Sequence, residues 1–238
     1  MKHIVKILIV AVVMLCSPSA KGQIQNLSNF DKNIMHYGIS VGYMDSKFML
    51  EYTEDEAIRE NIQGVTSYYI PGFHITIVGD LRINDYMNIR LLPGISFLDR
   101  EINYALSDQY ASTAHNLDRV RKAESIYGDL PIDLKLRSAR WRNFRPYVIT
   151  GLRYGFDFAS LKNNKNRNDD SIIRLSPNDF SYTMGVGFDF YFPYFKFAIE
   201  LKMGLGLVDL KVPDETFYSQ SIESIKSRTF TLSISVEG

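Results

Sequence analysis

Cysteine is nearly missing from this chain: Cys16 is the only one. It lies in an N-terminal run that we expect to be removed, so no disulfide framework can hold the mature fold. Tryptophan is as scarce, with Trp141 alone, and the four histidines, His3, His36, His74 and His115, are scattered. A zinc site needs His, Cys, Asp or Glu clustered at ligand spacing, and the sequence offers no such cluster. No P-loop or EF-hand pattern is present, so no cofactor is expected. Charge of one sign is also lacking, since 27 basic side chains meet 27 acidic ones. That balance removes the electrostatic case for nucleic acid. Beyond the N-terminus, no apolar run reaches the about 20 residues that a membrane helix needs.

What is present in quantity is aromatic: 15 Tyr and 15 Phe among 238 residues. Such enrichment favours strands. The N-terminus stands apart. Lys2 and Lys6 flank the start of the apolar run ILIVAVVMLC at 7–16, and Ala20-Lys21-Gly22 places small residues before Gln23. This is the layout of a cleaved signal peptide over residues 1–22. A lipoprotein signal ending at Cys16 is the rival, but Leu15 stands where a small residue is wanted. Residues 23–35 then form a short N-terminal segment on the periplasmic side, and 36–238 a barrel.

The barrel rests on alternation. Over 180–192, Phe180, Tyr182, Met184, Val186, Phe188, Phe190 and Phe192 face one way, opposite Ser181, Thr183, Gly185, Gly187, Asp189 and Tyr191. Over 195–208, Phe195, Phe197, Ile199, Leu201, Met203, Leu205 and Leu207 oppose Lys196, Ala198, Glu200, Lys202, Gly204, Gly206 and Val208. The last strand sets Phe230, Leu232, Ile234 and Val236 against Thr229, Thr231, Ser233, Ser235 and Glu237. Segments 36–52, 68–83, 86–105, 124–137 and 146–159 follow the same rule, which makes eight strands. They are longer than the usual globular strand of about 5–6 residues, and suit tilted membrane strands of about 9–11. Pro71-Gly72 and Pro93-Gly94 fall inside two of these patterns and predict bulges, because proline cannot donate to a ladder.

Alternation alone also fits a soluble sandwich. The connections separate the two. Residues 53–66, 106–123, 160–178 and 209–227 are long, and 84–85, 138–145 and 193–194 are short, in strict alternation. Outer-membrane barrels have short periplasmic turns and long external loops. The expected fold is therefore an all-β, eight-stranded antiparallel up-and-down barrel in the bacterial outer membrane. Both termini would be periplasmic, and the partners would be outer-membrane lipid and protein.

The polar face predicts the lumen. Arg90, Asp133, Lys135, Arg153, Asp157, Asp189, Glu200 and Lys202 point inward in this register. Both signs are represented, so ion pairs can fill an interior that eight strands leave just wide enough for side chains. No open pore and no small-molecule substrate are expected. Trp141, between Arg140 and Arg142 in a short turn, is a candidate interfacial anchor or periplasmic contact. Thr53-Glu54-Asp55-Glu56 reads as a capping box. An enzymatic reading has only His115 with Ser107, Asp108, Ser112 and Asp118 in one long loop, ingredients that polar loops hold by chance. The chain is read as no enzyme. A rim hydrolase or acyltransferase, and a generic barrel for adhesion or envelope integrity, are the alternatives.

Several stretches, taken in order, carry a further likeness. They are Asn29-Phe30-Asp31, His36-Tyr37-Gly38, Pro71-Gly72-Phe73, Gly79-Asp80-Leu81-Arg82, Asn88-Ile89-Arg90-Leu91 and Pro93-Gly94-Ile95-Ser96-Phe97. Glu124-Ser125-Ile126-Tyr127, Leu130-Pro131, Lys135, Asn143 and Arg145-Pro146-Tyr147 complete the set. Across most of the mature chain they resemble the PorT family of outer-membrane barrels. The resemblance implies an integral component needed for type IX secretion, the export route of the Bacteroidetes group. Folded cargo cannot pass a filled eight-stranded barrel, so the implied role is assembly or partner binding. One departure is the C-terminus, Val236-Glu237-Gly238, where many such barrels end on an aromatic.

Overall fold

The computed structural model describes residues 25–52, 62–106, 120–163, 175–212 and 222–238. The signal segment 1–22, the capping box at 53–56 and the His115 group of loop residues lie outside them. A 3-10 turn at Phe30–Lys32 leads into β1 (Met35–Tyr52), β2 (Ile62–Tyr68), β3 (Ile70–Arg82), β4 (Met87–Leu91), β5 (Gly94–Leu106), β6 (Val120–Arg137) and β7 (Phe144–Asp157). A short helix α1 (Phe158–Asn163), β8 (Asn178–Tyr191), β9 (Lys196–Gly206) and β10 (Ile222–Glu237) complete the chain.

The pairings close a ring. β1 pairs antiparallel with β10 on one side and with β3 on the other. From β10 the sheet runs through β9, β8, β7 and β6 to the β4–β5 ribbon and back to β3. β2–β3 and β4–β5 are each one ribbon with a short interruption, at Tyr69 and at Leu92-Pro93. The chain is thus an eight-stranded antiparallel barrel, as the alternation predicts.

Three expectations are corrected in detail and one, at Pro93, is met. The ladder runs unbroken through Pro71, which pairs with Asp45, and the irregularity falls at Tyr69 instead. At Pro93 the predicted break occurs, yet the wall stays sealed: Ile77 N donates to Pro93 O at 2.8 Å and Leu92 N to Pro131 O at 3.0 Å. The strand expected over 146–159 stops at Asp157, because its carboxylate accepts from the Ala159 and Ser160 amides at 2.9 and 3.3 Å and caps α1. The last strand begins seven residues earlier than its clean alternation, at Ile222 rather than 229, because β1 is long enough to pair with it up to Tyr52.

Lipid-level side chains follow the alternation. Tyr37, Ile39, Val41, Tyr43, Ile75, Ile77, Val148, Leu152, Val186 and Leu201 are exposed on the outside. Their neighbours His36, Ser40, Thr76, Asp80, Arg90, Asp133 and Glu200 are buried inside. Outward polar groups find partners on the wall itself, as where Thr150 Oγ1 and Tyr182 Oη lie 2.7 Å apart. Ring pairs stiffen the outside, including Phe73–Phe97 with centroids 4.7 Å apart and Phe192–Phe195 at 5.1 Å.

Candidate functional site

The interior is a stack of ion pairs, built by the inward parity of each strand. Arg90 on β4 is fully buried and donates to Glu200 on β9. It also approaches Glu237 on β10 at 3.6 Å and Asp80 on β3 at 3.9 Å. Lys196 Nζ sits 2.6 Å from Glu237 Oε2. Tyr147 Oη donates to Glu200 at 2.8 Å. That ring lies against Gly187, where any Cβ would collide with it, so glycine is required there for close approach. Lys135 Nζ reaches Asp189 at 2.9 Å and lies 3.7 Å over the Tyr147 ring. An unpaired charge in such surroundings would cost several kcal/mol, which explains why acids and bases cross the lumen together.

Lys202 links this layer to the next, with Asp133 at 2.8 Å and Glu200 at 3.1 Å. Thr183 Oγ1 donates to Asp133 at 3.2 Å. Towards the long-loop end, Arg153 pairs with Asp129 at 2.6 Å and Asp179 at 3.5 Å. Arg100 donates to Tyr127 Oη at 3.1 Å and to Ser46 Oγ at 2.9 Å. Between the layers lies a cavity of about 60 Å³ whose lining includes Ser40, His74, Thr76, Thr183 and Ser233. A cavity of that size and polarity has room for a small cluster of waters.

All eight predicted lumen residues are interior. Arg90, Asp133, Lys135, Arg153, Asp189, Glu200 and Lys202 take part in the ion pairs above. Asp157, though buried, spends its carboxylate on the α1 cap. The predicted lumen set left out Asp80, Arg100, Asp129, Asp179, Lys196 and Glu237. Parity alone would have added Asp80, Asp129, Lys196 and Glu237, which alternate with lipid-facing neighbours. Sequence reasoning also passed over Gly38-Ile39-Ser40-Val41-Gly42, which spells a nucleophile elbow. That motif needs a strand-to-helix turn, and these residues lie mid-strand in β1. No hydrogen bond joins Ser40 to His74 among the described residues.

The short-turn mouth was not foreseen. Asp31, in the 3-10 turn, lies 3.0 Å from Arg145 Nη1, 3.3 Å from Arg137 Nη1 and 3.2 Å from Arg140 Nη1. Tyr191 Oη donates to it at 2.9 Å. Burial opposes the charge on this carboxylate. Arg145, the Tyr191 hydroxyl, Arg137 and Arg140 together outweigh that, and hold its pKa below the ordinary aspartate value. Phe30 stacks on His36 with centroids 4.0 Å apart. Arg145 also donates to the carbonyls of Ser138 and Asp85, at 2.7 and 2.6 Å, tying two short turns together. Trp141 is 74% exposed on the rim of this mouth, with its backbone bridged to Phe144.

Among known proteins, the family model for an outer membrane protein beta-barrel domain matches residues 23–212. A search of curated proteins finds no match. Similar solved structures include Neisserial surface protein A, at 8% identity and TM-score 0.43, covering 86% of this chain and 97% of that one. The outer membrane protein OprG from Pseudomonas aeruginosa is 11% identical with TM-score 0.41, covering 86% and 94%. AlkL, an outer membrane protein solved in DMPC bilayers, is 13% identical with TM-score 0.42, covering 93% and 94%.

Proposed function

Since the chain belongs to the outer membrane protein beta-barrel domain family, we propose that it is a non-enzymatic, non-conducting outer-membrane barrel serving the assembly or operation of type IX protein secretion. The filled lumen carries this reading: ion pairs at successive levels leave the protein's surfaces, not its interior, to do the work. The likeness to PorT supplies the identity of the machine. In this reading the short turns and both termini face the periplasm, where protein partners dock, and the long loops face outward.

Deletion of the gene should abolish surface display of exported cargo, and a detergent-solubilised tagged copy should bring down envelope partners. Normal cargo display in the deletion strain would sink the secretion role. Orientation is read by labelling whole cells with a membrane-impermeant maleimide. A cysteine at Glu223, exposed at the long-loop end of β10, should label; one at Asp85, in a short turn, should not. A second reading, adhesion through the long-loop end, is favoured by one observation: β1 and β6 each run 18 residues, far more than a bilayer crossing needs. Loss of surface binding with secretion intact would select it.

A further inference from the structure

Residues 25–33 precede β1 and its ladder, yet they are held across the short-turn mouth. Asn26 donates to Asn143 Oδ1 at 2.9 Å and to Tyr191 O at 3.0 Å, Arg82 donates to Lys32 O at 3.1 Å, and the single carboxylate of Asp31 sits among Arg137, Arg140 and Arg145. Arginine forks match carboxylates geometrically, and three of them around one acid leave the mouth rich in positive charge. The Asp31 side chain remains 22% exposed, so the contact is open to exchange with solvent-borne groups.

Arg140 does more than pair with Asp31. Its Nη2 donates to Asn26 O, its Nη1 to Leu27 O at 3.1 Å, and its Nε to Arg142 O at 2.6 Å. Leu27, at φ 49, and Arg142, at φ 56, are the non-glycine residues with positive φ among the described residues. A side chain with a Cβ is strained there, and such strain persists only where surrounding contacts hold it. Both strained carbonyls accept from the one guanidinium, and Leu27 O also accepts from Phe30 N at 3.1 Å. Letting go of Arg140 would relax the segment and the turn at once, which makes the docked segment a latch poised to open.

We propose that Arg137, Arg140 and Arg145 form a docking site for an acidic segment of a partner protein, that Asn26–Lys32 fills it in cis, and that the partner's carboxylate displaces Asp31. The role as a partner-binding barrel is the premise of this proposal. The cis segment shows what the site takes: an aromatic ring followed directly by an aspartate. Phe30 packs on His36 and, edge-on at 6.3 Å, on Tyr191, while Asp31 enters the arginines.

The probe is a fluorescent peptide with the sequence of residues 25–33, added to the purified full barrel in detergent. A nitroxide carried on Ser28→Cys, at an exposed position of the segment, reports docking. The label should be immobile in the resting barrel and become mobile as peptide is added. Asp31→Asn should mobilise it without peptide and bind the peptide at least tenfold more tightly. Adding Arg140→Gln to that variant should abolish the gain. The proposal is overturned if saturating peptide leaves the label immobile, or if a peptide with Asn replacing its Asp binds equally well. Should Asp31→Asn fail to fold, the peptide titration on the Ser28-labelled barrel decides alone. A deletion strain that secretes normally would remove the secretion role and leave the docking site standing, because peptide binding is read on the isolated barrel.

Discussion

The lower and upper halves of this barrel differ in the polarity of their outer face, and the change happens within single strands. On β1, Tyr37, Ile39, Val41 and Tyr43 face out and His36 and Ser40 face in; two residues further on, Asp45 and Lys47 point out while Met44 and Phe48 are buried. β5 repeats the switch, from Phe97 outside and Ser96 inside to Asp99 outside and Leu98 inside. Met44, Leu98 and Tyr127 meet as an apolar cluster. The cause is the solvent. Where the wall meets lipid, apolar side chains gain nothing by hiding, and polar ones must go inside and pair. Where the strands rise into water, the outer face turns polar and apolar side chains such as Met44 and Leu98 gain by turning inward, beside the buried Arg100, Ser46 and Asp179.

That contrast predicts different costs at the two levels. Glu200 serves Arg90, Lys202 and Tyr147 at lipid level. Glu200→Ala should therefore be the most damaging single change, destabilising by about 3–5 kcal/mol as buried cations lose their partner. Urea unfolding of the barrel in lipid vesicles measures it, and a loss under about 1 kcal/mol would mean that the ion pairs do not hold the lower half. In the upper half Leu98→Ala should cost about 2–5 kcal/mol, the usual range for a core leucine, in the same assay. A negligible effect would deny a hydrophobic core above the bilayer.

A smaller effect concerns the mouth. Its carboxylate titrates below the ordinary 3.8, because Arg145, Tyr191, Arg137 and Arg140 favour the charged form over the penalty of burial. Docking is thus fully supported above about pH 3.8 and is lost as pH falls through the lower, docked value. A spin label on Ser28→Cys should stay immobile through pH 5 and loosen only in strong acid; release near neutral pH would contradict the cluster. The smallest change is expected at Lys226, whose 3.5 Å pair with Glu51 lies on the exposed upper rim. Lys226→Ala should leave the unfolding midpoint unmoved, since exposed pairs are screened by water and salt.

The wall was legible because alternation is a local property. Ile199, Leu201 and Glu200 reveal their sides of β9 without reference to any other strand. Asp157 shows where locality stops: its parity is correct, but the turn that follows makes it a helix cap rather than a lumen partner. The polarity switch was hidden for a related reason. Met44 and Phe48 keep the inward parity of Ser40, so only their chemistry changes, and the level at which lipid ends is set by how the neighbouring strands are staggered. Asp31 was invisible to any periodic reading, since it belongs to no strand.

The sequence by itself determined the strand number, the closed sheet, the side of the wall on which most residues fall, and the presence of both charge signs inside. The tertiary structure alone decided which charges meet. Arg90 finds Glu200 from 110 residues away, and Asp31 finds Arg145 from 114 away. Such partners are chosen by ring closure and strand stagger, which place distant positions at one height in the lumen. The physical reason is that parity is written into each strand, whereas height is a property of the assembled barrel.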